Sequence, residues 1–333
     1  MKLIIPGGSG QVGTLLARAF VEQGHEVVVL SRLPRPAAWR VVPWDGATLG
    51  TWQREFEGAD AVVNLAGRSV NCRYTRRHRR EILDSRILST RVVGRAIAQT
   101  SDPPRVWLQA STATIYAHRY DAPNDELSGM LGGAESNAPS SWRFSIDVAR
   151  AWEEAFNEAA LAATRKVLLR SAMTMSPDRG GVFDALLQLV RVGLGGTIGD
   201  GRQYMSWIHE FDFVRAVEWL IARDDLAGVF NLASPHPVPN AEFMRALRHA
   251  WGIRFGMAAS RPLLEIATWL MRSESELVLK SRRVVPRRLL ESGFEFQLPL
   301  WSDAALELCQ RYRHWISATH RLARSRSVAV CRP

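Results

Sequence analysis

The passage from Lys2 to Arg32 constrains this chain more than any other. An apolar run, Lys2 to Ile5, breaks into Gly7-Gly8-Ser9-Gly10-Gln11-Val12-Gly13. A helical pattern follows through Leu15, Leu16, Ala19 and Phe20, and a second apolar run ends at Ser31-Arg32. This order predicts a strand, a glycine turn, a helix and a parallel strand. Such a crossover sets the helix N-terminus over the turn, where backbone N–H groups and the helix dipole favour a pyrophosphate. The spacing of Gly8, Gly10 and Gly13 suits a tight turn, a close approach of backbone to phosphate, and close packing of helix on strand. Residues 7–13 are therefore assigned to a dinucleotide.

The end of the second strand points to which dinucleotide. An acidic residue there would accept hydrogen bonds from the adenosine ribose and repel a 2′-phosphate. Ser31 and Arg32 stand there instead, and a cation beside a hydroxyl suits a phosphate dianion, which favours NADP(H) over NAD(H). The alternative is an ordinary exposed arginine after a strand.

Strand patterns recur at 2–5, 26–30, 39–43, 60–65, 105–110 and 166–170 with helical patterns between them, as at 75–99 and 143–162. This alternation predicts an α/β fold, a doubly wound parallel sheet of Rossmann type covered on both faces. Beyond it lie a helix at 182–193, a glycine-rich loop from Gly193 to Gly201, and short strand or helix signals at 205–208, 210–223 and 228–233. Residues 239–316 read as mainly helical, with Pro262, Pro286 and Pro299 as punctuation. The expected division is a dinucleotide-binding domain over 1–175, with 205–235 returning to it. A smaller, mainly helical substrate lobe over 176–204 and 236–316 and a loosely ordered basic tail over 317–333 complete it.

A chain of 333 residues, 47% hydrophobic, can bury a substantial core. Cys72, Cys309 and Cys331 show no paired spacing, so neither a disulfide framework nor a metal site is assigned, and a reducing compartment fits. The first strand pattern starts within two residues of Met1, and the longest apolar stretches, such as Pro262 to Met271, are too short for a bilayer. A cytoplasmic protein without a membrane partner is the expectation. Much of the net charge of +10 lies in Arg73, Arg76, Arg77, Arg79 and Arg80 around His78, and in the tail from His320. The arginine cluster faces either an anionic cofactor or solvent. No nucleic-acid-binding motif accompanies it, so nucleic acid is not the expected partner. The oligomeric state stays open, a homodimer being one option.

Three further segments carry a family likeness: Asp60-Ala61-Val62-Val63-Asn64-Leu65-Ala66-Gly67, Ala110-Ser111-Thr112-Ala113-Thr114-Ile115-Tyr116, and Ser206-Trp207-Ile208-His209. With the glycine turn, they make the chain resemble an extended short-chain dehydrogenase/reductase. Gly193-Leu194-Gly195-Gly196, Gly199-Asp200-Gly201-Arg202-Gln203 and Ser281 to Leu290 resemble its atypical "epimerase family" branch, which has a small C-terminal module of unassigned role. The likeness spans nearly all of 1–315. It implies that Asn64, Leu65, Ala66 and Gly67 line the adenosine side, and Arg86 is assigned to the same cofactor set.

In the wider family a Ser or Thr orients the substrate oxygen, a Tyr gives or takes the proton, and a Lys four residues later lowers the pKa of that Tyr. Thr112 matches the hydroxyl position, with Ser111 as its neighbour. The Tyr and Lys do not carry over: aligned through Trp152-Glu153, their positions fall on Ser145 and Ala149, and no Tyr-x-x-x-Lys occurs in the chain. Tyr116 is the first candidate for a replacement. Asp147 lies on the right helix but can equally face solvent, while Arg202 and Gln203 are candidate anchors for a substrate anion or pins of their loop. His209 is an acid–base candidate or, more simply, a brace between lobes. Sugar-nucleotide epimerases of the family carry an arginine just before the segment matching Ser206 to His209, where this chain has Met205, which argues against a nucleotide-sugar. Tryptophans such as Trp142, Trp207 and Trp269 allow an apolar pocket or ordinary packing. The expected function is NADP(H)-dependent oxidoreduction or epimerisation of a small carbonyl or hydroxyl compound. The alternative is a cofactor-bound sensor or scaffold without turnover.

Overall fold

In the computed structural model, residues 1–136, 138–258 and 276–330 are described. Parallel pairing builds a seven-stranded sheet in the order β10-β6-β5-β4-β1-β2-β3. Its strands are β1 (Lys2–Pro6), β2 (Glu26–Ser31), β3 (Arg40–Pro43), β4 (Ala61–Asn64), β5 (Val106–Thr112), β6 (Arg165–Ser171) and β10 (Gly228–Leu232). Six match the sequence reading within a few residues, and the seventh is the returning signal at 228–233. The chain reverses direction across the sheet between β1 and β4, which places ligands at the carboxyl ends of these strands.

Strand side chains alternate between two cores, as the period of two requires. Leu3 and Ile5 pack with Leu15 and Phe20 of α1 (Gln11–Glu22) and with Phe213 and Val217 of α5 (Glu210–Ala222). Ile4, between them, packs on the opposite face with Val92 and Val93 of α2 (Arg76–Ala98) and with Phe156 of α3 (Arg143–Asn157). A third cluster forms the smaller lobe. Phe183 and Leu187 of α4 (Val182–Arg191) meet Phe243 and Leu247 of α6 (Asn240–Trp251), and Trp301 stacks on Phe243 at 3.9 Å between ring centroids. Two small sheets join the lobes: β7 (Met173–Met175) with β9 (Trp207–His209), and β8 (Tyr204–Met205) with β11 (Val238–Pro239). The strand expected at 205–208 is thus divided between both small sheets and lies outside the main one.

The C-terminal segment continues through α7 (Glu276–Leu279), α8 (Arg287–Glu291) and α9 (Trp301–Val330). The tail expected to be loosely ordered is helical through Val330. Residues 317–330 contain Ala, Leu and Arg and neither Gly nor Pro, so nothing interrupts the helix started at Trp301. No helix among the described residues is long and apolar enough to cross a membrane. The readings at Pro262, 262–271, Trp269 and Cys331 lie outside the described residues.

Candidate cofactor and substrate site

The glycines of the turn divide into three that packing requires and one that it does not. Gly7 has φ +75°, and a Cβ there would lie 2.5 Å from Ala66 Cα. At Gly8 it would lie 2.9 Å from Ile5 and Val29, and at Gly13 2.4 Å from Gly8 Cα. Those three let α1 and the 64–67 turn close onto the strands. A Cβ at Gly10 would meet nothing nearer than 3.7 Å. Gly10 is the exposed N-cap of α1, which has neither a side-chain cap nor an acidic residue in its first turn. The positive end of this helix is therefore bare, the condition an anion needs.

Around that end, Ser31 Oγ donates to Ser9 Oγ at 3.1 Å and accepts from Leu33 N at 3.2 Å. Ser31 thus holds the glycine turn to the end of β2 and is not itself exposed, whereas Arg32 beside it is exposed and has no ion pair among the described residues. Asn64 is buried; it donates to Gln109 Oε1 at 2.8 Å and accepts from Ala66 N at 3.1 Å. Its polar atoms shape the 64–67 turn. Gly67 leaves space for Arg86, whose guanidinium carbon would be 3.2 Å from a Cβ at that position.

A cavity of about 400 Å³ opens between α1, β5, α2 and α3. It gathers Gln11, Val12, Leu65 and Arg86 from the cofactor set with Ser111 and Thr112 from the hydroxyl set. Gln11 Nε2 is buried without a hydrogen-bond partner among the described residues, so a polar group in the cavity would complete it. Arg86 donates to the Arg68 and Ile82 carbonyls at 3.0 Å, lies 4.9 Å from the Trp152 ring centroid, and has no carboxylate partner among the described residues. Burial lowers its pKa to about 10, which leaves it cationic at neutral pH. A bare helix end, an orphaned amide and an unpaired guanidinium fit a phosphate-bearing dinucleotide.

Several candidates have other duties. Ser111 Oγ, on the cavity wall, donates to Glu153 Oε1 at 2.6 Å, within the buried Glu153–Arg170 pair. Tyr116 is buried outside the cavity, donating to Asn231 Oδ1 at 2.9 Å and accepting from Arg170 Nη1 at 3.0 Å. Burial raises its pKa against the opposing pull of Arg170, and nothing here makes it an acid for substrate. His209 is buried; its Nδ1 accepts from Phe211 N at 3.1 Å, capping α5, and its Nε2 meets Glu307 at 2.9 Å. It is a brace. Gln203 pins the glycine loop through Ile198 O at 2.9 Å, and Arg202 is exposed over the Tyr120 ring; neither lines the cavity. Asp147 is exposed near Arg143, and the clustered Arg76, Arg77, Arg79 and Arg80 also face solvent.

Thr112 remains on the cavity wall, accepting from Thr114 N at 3.1 Å. Ser145, at the position where the family tyrosine would fall, also lines it and donates to Glu276 Oε2 at 2.6 Å. Glu276, Lys280 and Arg282 bring the C-terminal segment to this wall, and the sequence reading missed them. Lys280 Nζ donates to Thr114 O at 2.7 Å and Arg282 Nε to Thr114 Oγ1 at 3.3 Å. The surrounding surface is apolar and aromatic, with Tyr74 and Phe144 in edge contact at 5.1 Å.

The profile of the NAD dependent epimerase/dehydratase family matches residues 3–233, and a domain of unknown function, DUF1731, matches 261–308. "Epimerase family protein SDR39U1" of Bos taurus is 32% identical over 314 residues, covering 92% of this chain and 99% of its own. "Epimerase family protein YfhF" of Bacillus subtilis is 28% identical over 315 residues, covering 93% of this chain and 97% of its own. The crystal structure of human SDR39U1 (isoform 2) with NADPH superposes with a TM-score of 0.80 at 29% identity, covering 93% of this chain and 99% of that one. A UDP-N-acetylglucosamine 4-epimerase from Bacillus cereus shares the fold at 16% identity, with a TM-score of 0.72 and coverage of 94% and 99%.

Proposed function

The chain belongs to the NAD dependent epimerase/dehydratase family, and on that premise we propose that it binds NADP(H) and exchanges hydride with a small, apolar carbonyl or hydroxyl compound. One observation carries the reading: a single cavity adjoins the bare end of α1 and is walled by both the unpaired Arg86 and the hydroxyls of Thr112 and Ser145. The human relative solved with NADPH supports the choice of cofactor. Arg32, exposed at the end of β2, would meet the 2′-phosphate, and the first N–H groups of α1 would meet the pyrophosphate. Bound there, the cofactor supplies or accepts hydride at its nicotinamide ring. Thr112 and Ser145 would hold the substrate oxygen, and the aromatic wall would exclude water from it. Met205 is buried in the core of the smaller lobe, which leaves the family's diphosphate-binding position apolar and argues against a nucleotide-sugar.

The absence of a Tyr/Lys pair at Ser145 and Ala149 favours a second reading, a cofactor-bound sensor or scaffold. Following the fluorescence of bound NADPH while 4-nitrobenzaldehyde and other aromatic and aliphatic carbonyls are added separates the two. An enzyme consumes the cofactor with at least one of them. A signal that holds steady with every carbonyl would sink the hydride-transfer reading.

A further inference from the structure

Two cavities lie on either side of the start of α3, which lends Phe144, Ser145 and Val148 to one and Arg143 and Ile146 to the other. The first is the candidate site, reached by Ser145 Oγ. The second, of about 240 Å³, is rimmed by exposed Ser140 and Arg143 and walled by Lys280. Glu276 links them: it accepts from Ser145 Oγ, on the first cavity, through Oε2 at 2.6 Å, and its Oε1 lies 4.0 Å from Nζ of Lys280, on the second. We propose that Ser145, Glu276 and Lys280 form a proton path between the two cavities and do the work of the missing Tyr/Lys pair. The proposal rests on the carbonyl-reduction reading above.

The composition supports it independently. Only three of the 43 cationic side chains are lysines: Lys2, Lys166 and Lys280. Lys2 and Lys166 donate to backbone carbonyls near the surface, while Lys280 is 1% exposed. A chain that otherwise uses arginine so heavily keeps, at this buried position, the one cation that can give up its proton. Burial and neighbouring Arg282 lower the Lys280 pKa to about 8, against the opposing pull of Glu276 and Glu135. Arg143 on the rim and His118, which accepts from Ser281 N, are the other titratable groups nearby.

In the reducing direction, hydride from a reduced nicotinamide dinucleotide forms the new C–H bond, and the C=O π pair becomes the lone pair of an alkoxide. That oxygen takes the Ser145 Oγ proton. Glu276, the carboxylate that accepts from Ser145, takes a proton from the Lys280 ammonium and returns one to Ser145, and Lys280 recovers its own from water in the second cavity. The sum is carbonyl, reduced cofactor and one proton to alcohol and oxidised cofactor. Ser145 is the residue that touches substrate, while Glu276 and Lys280 act through it.

With only three lysines, the full chain labelled with ¹³Cε-lysine gives three resonances whose titration is read directly by NMR in the presence of NADPH, Lys280 being assigned from Lys280→Arg. The expected result is a Lys280 midpoint near 8 that falls further in Glu276→Gln. With NADPH and 4-nitrobenzaldehyde as probe, Ser145→Ala, Glu276→Gln and Lys280→Arg should each lose about 100-fold in rate while keeping NADPH affinity. The wild-type rate should fall as pH rises through the Lys280 midpoint, and that inflection should vanish in Lys280→Arg. A Lys280 that titrates with the other two lysines, or wild-type rates in all three variants, would overturn the proton path. If wild type itself leaves NADPH untouched, the carbonyl reading fails, and the NMR midpoints still decide whether the three groups share a proton.

Discussion

Gly10 and Gly13 sit in the same turn and differ in what surrounds them. Gly13→Ala drives a Cβ to within 2.4 Å of Gly8 Cα, so α1 must lift from its strand; a loss of about 1–3 kcal/mol in denaturant-determined stability is expected. Gly10→Ala has open space and φ −76°, so it should unfold like wild type and yet lose NADPH binding, because the methyl occupies the approach to the helix end. Equal losses of stability in the two variants would contradict this division. The residues whose backbone does the work, Gly7 to Gly13, were legible in the sequence, since glycine spacing encodes backbone geometry directly. Polar side chains were less so. Ser111, Tyr116, Asn64 and His209 are occupied by Glu153, Asn231, Gln109 and Glu307, partners 42 to 115 residues away that no local pattern announces.

At the scale of elements, β5, β6 and α3 are tied by the bidentate Glu153–Arg170 pair, with N–O distances of 2.7 and 2.9 Å and both side chains about nine-tenths buried. Burial alone would lower the Arg170 pKa, but Glu153 reverses this and raises it, so Arg170 keeps its charge. Glu153→Ala strands a guanidinium among Tyr116 and β5 and should cost about 3–5 kcal/mol in equilibrium unfolding; a cost below about 1 kcal/mol would show that the pair does not brace these elements. The strands and helices of the sheet were legible because each buries an alternating or a 3.6-period face. The signal at 205–208 marked a short strand but not its division between two small sheets, since two-residue pairings such as Tyr204–Met205 with Val238–Pro239 leave no periodic trace. The approach of α7 to Ser145 on the cavity wall was also invisible. It depends on a contact between Glu276 and Ser145, 131 residues apart.

For the whole molecule, the buried Lys280 couples stability to pH. Its pKa is about 8 in the folded chain against an ordinary lysine value of 10.5, so between these limits the unfolded chain binds more protons and stability rises with pH. Relative to Lys280→Met, wild type should gain up to about 3 kcal/mol across that window, measured as the difference between two sets of urea melts. A constant difference would place Lys280 at an unshifted pKa. The central claim concerns the cofactor groove that the two lobes frame, and calorimetric titration of the full chain with NADPH and with NADH tests it most directly. Wild type should bind NADPH more tightly than NADH, and Arg32→Asp should weaken NADPH by about 30-fold, roughly 2 kcal/mol, with little change for NADH. No heat with either coenzyme, or an equal loss for both in the variant, would contradict the account.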